Sequence, residues 1–296
     1  MIGFETFLAV AAGGLVLGAI YALMAAGLAA IWTTLGIFNF AHGAFIALGA
    51  YIGWTFADTQ AAGLGLAIGA IGATVVMFFF GILFHLVLVL PFERRSDIVT
   101  ASVITTLAGA AIIESAINLI WGPRSKQLER MASGEIDLGV FTFPINDLIL
   151  MGLVALTLAA LGWFLGRTRA GRAMRAVSQN REAAEFMGLD VPKLFALAFG
   201  ISADMAALAG IFLGGIRFMA PTMGIDPLMK ALIVVIFGGI ARFTSPIYAA
   251  FIVGLVESFS NYFVGLYWTP AVLFAMMIVV LFLKPSGLFG HHQRTL

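Results

Sequence analysis

The chain has 296 residues, of which 61% are hydrophobic and 10% charged, with a formal net charge of +1. Soluble domains carry roughly 25% charged residues, so this composition excludes a water-soluble globular enzyme and makes lipid the expected solvent. The absence of cysteine removes disulfides, thiolate metal sites and Cys nucleophiles, and no basic field marks a nucleic-acid partner.

A membrane-spanning helix needs about 20 consecutive apolar residues. Such runs fall near 6–32, 41–57, 62–90, 97–121, 146–166, 194–216, 228–241, 246–266 and 269–284. The expected fold is therefore all-α, a polytopic transmembrane helix bundle of eight or nine spans forming one domain over 1–296. The first run holds Glu5 with no Lys or Arg before it, and reads as a retained span rather than a leader. It ends in Gly36-Ile-Phe-Asn-Phe-Ala-His-Gly43, which is too polar to face lipid, so the helix is expected to break there. The run at 228–241 is short and opens with Asp226-Pro227 and Lys230, as either a half-helix or a tilted, partly lined segment would. Gly36–Phe45 also echoes Gly239–Tyr248 at three of ten positions, which either chance or a parallel duplication explains.

Charge placement sets the orientation. Arg94 and Arg95, six Lys/Arg from Arg167 to Lys193, and Lys284 with Arg294 fall on one side of an alternating path. The positive-inside rule makes that side cytoplasmic. The loop 122–145, where Arg124, Lys126 and Arg130 are balanced by Glu129, Glu135 and Asp137, then lies outside with the N-terminus.

The longest polar interval, Gly171–Gly188, is expected to form one short cytoplasmic helix. Its small-residue side carries Ala173, Ala176, Ala183, Ala184 and Met187; Gly188 and Pro192 then stop it. Two readings stand: an arginine-rich loop that only fixes topology, or a surface another protein can approach closely.

No catalytic constellation is present. No lysine follows a glycine, which excludes a phosphate-binding loop of the Gly-Lys-Ser/Thr type. His42, His85 and the tail pair His291-His292 lack metal-ligand spacing, so neither metal nor cofactor is expected. Within the spans, Glu114 and Asn118 share a helix face, as do Glu257 and Asn261, and Asp204 stands alone. These residues either line a polar path or hold helices together by hydrogen bonds. Asn39 and His42, at the broken helix, lean toward the path.

The chain resembles the permease subunits of ABC importers for branched-chain amino acids, the LivH-like group, whose relatives also carry urea and short amides. The resemblance covers nearly the whole length and rests on several motifs taken in order. They are Asn39-Phe-Ala-His-Gly43, Arg94-Arg-Ser-Asp97 leading to Trp121-Gly122, Gly171-Arg-Ala-Met-Arg-Ala176 with Asn180 and Met187-Gly188, Lys230-Ala231 leading to Gly238-Gly239, and Pro285-Ser-Gly-Leu-Phe-Gly290. It implies a multi-pass protein of the bacterial inner membrane. It also implies a second permease subunit, cytoplasmic ATPases gripping the 172–190 region, and an extracytoplasmic binding protein that sets most of the ligand choice. The implied docking residues are Arg172, Arg175, Arg181, Glu182, Ala183, Ala184, Met187 and Gly188. One departure is that Ile240-Ala-Arg-Phe-Thr-Ser-Pro246 replaces the family's usual Gly-Ser continuation after Gly239. An ATP-independent secondary carrier, coupled through Glu114, Asp204 or Glu257, is the rival class.

Overall fold

A computed structural model describes residues 3–58, 65–93, 97–137, 139, 142–239 and 243–290. Expectations resting on Arg94, Arg95, Ile240–Arg242, His291, His292 and Arg294 lie outside the described residues. Eleven α-helices account for most of the rest: α1 Phe4–Leu35, α2 His42–Ala57, α3 Gly65–Phe84, α4 Ile98–Trp121, α5 Ile145–Arg167, α6 Arg169–Gln179, α7 Arg181–Phe186, α8 Val191–Ile216, α9 Ile225–Gly238, α10 Ser245–Phe263 and α11 Thr269–Leu283. Together they form an all-α polytopic membrane bundle. Among the described residues, five segments are long and apolar enough to cross a bilayer: α1, Gly65–Phe92, α4, α5 and α8. Past Phe84, α3 loosens into a π-turn at His85–Val89 and one 3₁₀ turn at Leu90–Phe92. Pro91 supplies no N–H there and prevents the regular ladder from resuming. A hairpin of β1 Glu135–Asp137 and β2 Thr142–Pro144 precedes α5.

The chain's direction is legible at each end. Leu35, at the close of α1, packs with Val177, Ala184, Val191 and Phe195, so α1 finishes beside α6 and α7 while α8 starts there. At the opposite end, which carries the hairpin, Lys126 and Met219 exchange backbone hydrogen bonds and the Leu128 N–H donates to the Gly214 carbonyl.

With 32 residues, α1 is about 48 Å long, well beyond the roughly 30 Å hydrocarbon layer. Gly36, at φ 71°, ends it in the left-handed conformation that glycine adopts without a Cβ penalty. The chain then turns back into the bundle. The His42 Nε2–H donates to the Met24 carbonyl at 3.0 Å, so α2 begins eleven residues of α1 short of its end. From there α2 runs only toward the hairpin end, where the Thr55 hydroxyl accepts from the Trp121 indole. After α8 the chain repeats the manoeuvre from the other side. Residues 217–224 dip inward along α2, and α9 starts at Gly224 against Gly43. A Cβ on either glycine would overlap the other's carbonyl oxygen. Two half-helices thus begin back to back in mid-bundle and run to opposite ends, as the break after Gly36 and the short 228–241 run lead one to expect.

The packing repeats as well. α1 lies on α10 as α8 lies on α3; α2 meets α8 as α9 meets α1; α2 contacts α3 and α4 as α9 contacts α10 and α11. Units α1–α4 and α8–α11 are therefore inverted copies, with α1 and α8 running antiparallel at the centre. Phe78 and Gly81 of α3 meet Gly200 and Phe199 of α8, and Phe251 and Gly254 of α10 meet Gly18 of α1 in the same way. This corrects the parallel pairing of Gly36–Phe45 with Gly239–Tyr248. Both stretches follow a positive-φ glycine with a helix start six positions on, yet the packing matches α1–α2 with α8–α9. A left-handed glycine that stops a helix recurs for local reasons, so that echo carried no information about the repeat.

Candidate functional site

Beneath the hairpin end, charged side chains converge on α9. Glu257 of α10 is 2% exposed; its Oε2 accepts from the Tyr21 hydroxyl of α1 at 2.6 Å, and its Oε1 accepts from Lys230 Nζ of α9 at 2.8 Å. Lys230, 9% exposed, also reaches Asp226 Oδ2 at 3.1 Å, one helical turn away, and Arg217 closes on the same oxygen at 3.5 Å. Arg217, Asp226, Lys230, Glu257 and Asn261 line a cleft of about 140 Å³ whose apolar wall is Leu266, Pro270 and Leu273. The i,i+4 spacing of Glu257 and Asn261 thus does place both on one lined face. In the sequence Asp226 and Lys230 marked the opening of a short run, and Lys230 a family motif, but neither as part of a site; Tyr21 gave no signal, because a tyrosine in such a run looks like any other core aromatic.

The other polar residues stay apart from that cleft. His42 is fully buried; with its Nε2–H donated to Met24, the neutral ring accepts from the Ser202 hydroxyl at Nδ1, 3.1 Å away. It ties α2 to α1 and α8 and does not line that cleft. Asn39 is buried too, its Oδ1 accepting from the Ala41 N–H at 3.0 Å while Nδ2 has no partner among the described residues. Glu114 is half-buried and Asn118 exposed on the outer face of α4, among Ile112, Leu119 and Ile120. Asp204 opens into a separate, largely apolar groove of about 1190 Å³ between α3, α5 and α8. The seven path candidates therefore occupy four separate places.

At the opposite end, the stretch expected as one helix is two. Asn180 leaves helical geometry at φ −157°, and its Oδ1 accepts from the Ala183 N–H at 2.9 Å, capping α7. Asparagine competes well with the helical backbone, which is why the run breaks there. α6 turns Gly171, Met174 and Val177 inward and leaves Arg172 and Arg175 in solvent, where they donate to the Arg167 and Gly166 carbonyls. These carbonyls lie at the C-terminus of α5, where the helix dipole favours positive charge. In α7, Ala184 is 4% exposed and packs inward on Val177, Val191 and Phe195. The free surface is instead Phe186, 90% exposed, and Met187, 83% exposed, followed by Gly188 at φ 81°. Glu182 and Ala183 are exposed beside them, while Arg181 pairs with Glu185 at 3.2 Å and lies over the Phe195 ring. Asp190 caps α8, and hydrogen bonding to Lys193 holds its carboxyl below the usual range, so it stays ionised.

Known proteins share this chain's sequence along nearly its whole length. The family described as the permease component of the branched-chain amino acid transport system matches residues 10–281. The chain belongs to that family. The high-affinity branched-chain amino acid permease LivH of Salmonella typhimurium is 27% identical over 292 residues, covering 95% of this chain and 94% of that one. LivH of Escherichia coli K12 is 28% identical over the same length, and BraD of Pseudomonas aeruginosa is 25% identical over 293 residues. This family member is accordingly a permease subunit of an ABC importer, a transport component embedded in a membrane.

Proposed function

We propose that this permease moves branched-chain or other hydrophobic amino acids into the cytoplasm across a bacterial inner membrane, using ATP hydrolysed by partner subunits docked on α6 and α7. The observation that carries the docking assignment is the apolar pair Phe186–Met187, held outward by two short helices whose inner faces are fixed to the bundle. An isolated apolar knob on an arginine-rich surface suits a groove with an acidic rim. Arg172, Arg175, Arg181, Glu182 and Ala183 frame that contact, and Gly188 supplies its turn. The α6–α7 end is then cytoplasmic. The hairpin end faces the substrate-binding protein, and a second permease subunit covers bare apolar faces of this bundle.

The inverted units supply a mechanism. α6 and α7 lie between them in the chain and touch α5, α1 and α8. Closure of the ATPases pushes on this joint, and α1 packed with α9–α11 rocks against α8 packed with α2–α4, so that access alternates between the two ends.

The test is ATP-driven uptake of L-leucine by proteoliposomes holding the assembled complex, compared between wild type and Phe186→Asp/Met187→Glu. Both residues are exposed, so the variant inserts and folds; uptake is expected to vanish with loss of ATPase co-purification. Uptake at the wild-type rate would refute the docking assignment, and uptake without ATP would favour a secondary carrier.

A further inference from the structure

The cleft around Lys230 carries more charge than its place in the fold requires. Counting on from the matched Phe78/Gly81 and Phe251/Gly254 pairs sets Phe84 opposite Glu257. At Phe84 the inverted copy is filled by rings: Phe45 at 4.9 Å and Phe199 at 6.1 Å between centroids. At this position, with the buried His85–Glu93 pair one residue further on, helix packing is met by aromatic rings. On the other side the same position holds a carboxylate, tied to a lysine on the half-helix and a tyrosine on α1. Ions taken out of water are costly unless they are paired and hydrogen-bonded, so they are poor packing material.

Their arrangement leaves unused capacity facing the cavity. Tyr21 and Lys230 engage both oxygens of Glu257, which makes it a positioning residue for the ammonium. Lys230 spends two donors on Glu257 and Asp226 and has a third. Arg217 offers most of its five donors, and Asp226 is half-exposed at the first turn of α9. Two cations and an accessible anion therefore share a space of about 140 Å³, too small for a drug-sized molecule, whose pockets run to roughly 300–1,000 Å³, but fit for a head group.

We propose that this cleft is a subsite for the head group of a zwitterionic α-amino acid during its passage. Arg217 and Lys230 take the carboxylate, Asp226 and the Asn261 amide oxygen take the ammonium, and Leu266, Pro270 and Leu273 meet the start of the side chain. The assignment rests on the amino-acid reading given under Proposed function, and it separates that substrate from neutral amides. A urea or simple amide brings no charge to answer these groups and would pay to displace their water.

The experiment uses the assembled permease–ATPase complex in nanodiscs without the binding protein, so that only sites in the membrane are read. Radiolabelled L-leucine is displaced by leucinamide, which lacks the carboxylate, and by 4-methylpentanoate, which lacks the ammonium. Wild type is expected to prefer leucine over both. Arg217→Gln should lower the preference over leucinamide about tenfold or more, and Asp226→Asn the preference over 4-methylpentanoate by a similar factor, as loss of one charge-assisted hydrogen bond predicts. A merely structural role would weaken all three probes together and leave the ratios unchanged. Uptake of L-leucine by the complete transporter, binding protein included, is measured in parallel. If wild type takes up leucine and neither ratio moves in the variants, the subsite is refuted alone. If wild type takes up no leucine, the amino-acid reading falls and the subsite with it.

Discussion

Lys230 is the residue on which the polar side of the bundle turns. It joins α9 to α10 through Glu257, and Glu257 joins both to α1 through Tyr21. Removing one partner of a buried ion pair strands the other, which typically costs about 3–5 kcal/mol, whereas replacing both with apolar groups is often neutral. Lys230→Met should therefore lower the thermal-unfolding midpoint of the purified protein sharply, and Lys230→Met/Glu257→Leu should recover most of the loss. Equal destabilisation by the single and double variants would show that the pair is not coupled. At this scale the sequence revealed which residues were polar and which shared a face, as with Glu257 and Asn261. It did not reveal partners 236 residues apart, such as Tyr21 and Glu257. His42 shows the converse: a histidine at a helix break suggests a path, yet three helices satisfy its ring completely.

Among the elements, the half-helices matter most. Their meeting point has no room for a side chain, because Gly43 and Gly224 lie backbone to backbone. Gly43→Ala should cost about 1–3 kcal/mol through overpacking, measured by denaturation in detergent. Gly162→Ala in α5, where nothing lies within 4 Å, should be neutral or slightly stabilising. The reverse order would mean the two half-helices do not touch. Element positions were readable because a long apolar run in lipid has no alternative to helix. The short run near 228–241 left a half-helix or a tilted span open, and the helix there is the half-helix Ile225–Gly238. The split at Asn180 was missed because composition favours helix throughout 171–187; the cap depends on one side chain turning back on its own backbone. That fold also hides Ala184 and exposes Phe186, reversing which apolar residue is free.

For the whole molecule, the inverted relation of α1–α4 to α8–α11 was almost invisible in sequence. Packing between helices is met by any small residue at the crossing, so the two units share little beyond Phe-x-x-Gly at 78–81 and 251–254. Charge distribution, by contrast, speaks directly about orientation. The chain has no cysteine, so one introduced thiol reports one place. In intact cells, membrane-impermeant maleimide should label Tyr267→Cys, exposed in the α10–α11 turn at the hairpin end, and leave Met187→Cys untouched. In inside-out vesicles the pattern should invert. Labelling of Met187→Cys in intact cells would overturn the orientation.

The same freedom from native thiols allows a direct view of the grip between permease and ATPase. With Met187→Cys in the assembled complex, an amine–thiol crosslinker should join this chain to the ATPase in high yield, while Ala184→Cys, turned inward, and Tyr267→Cys, at the far end, should give none. Crosslinking at Tyr267→Cys, or no ATPase adduct at Met187→Cys in a complex that still hydrolyses ATP and transports, would contradict the account.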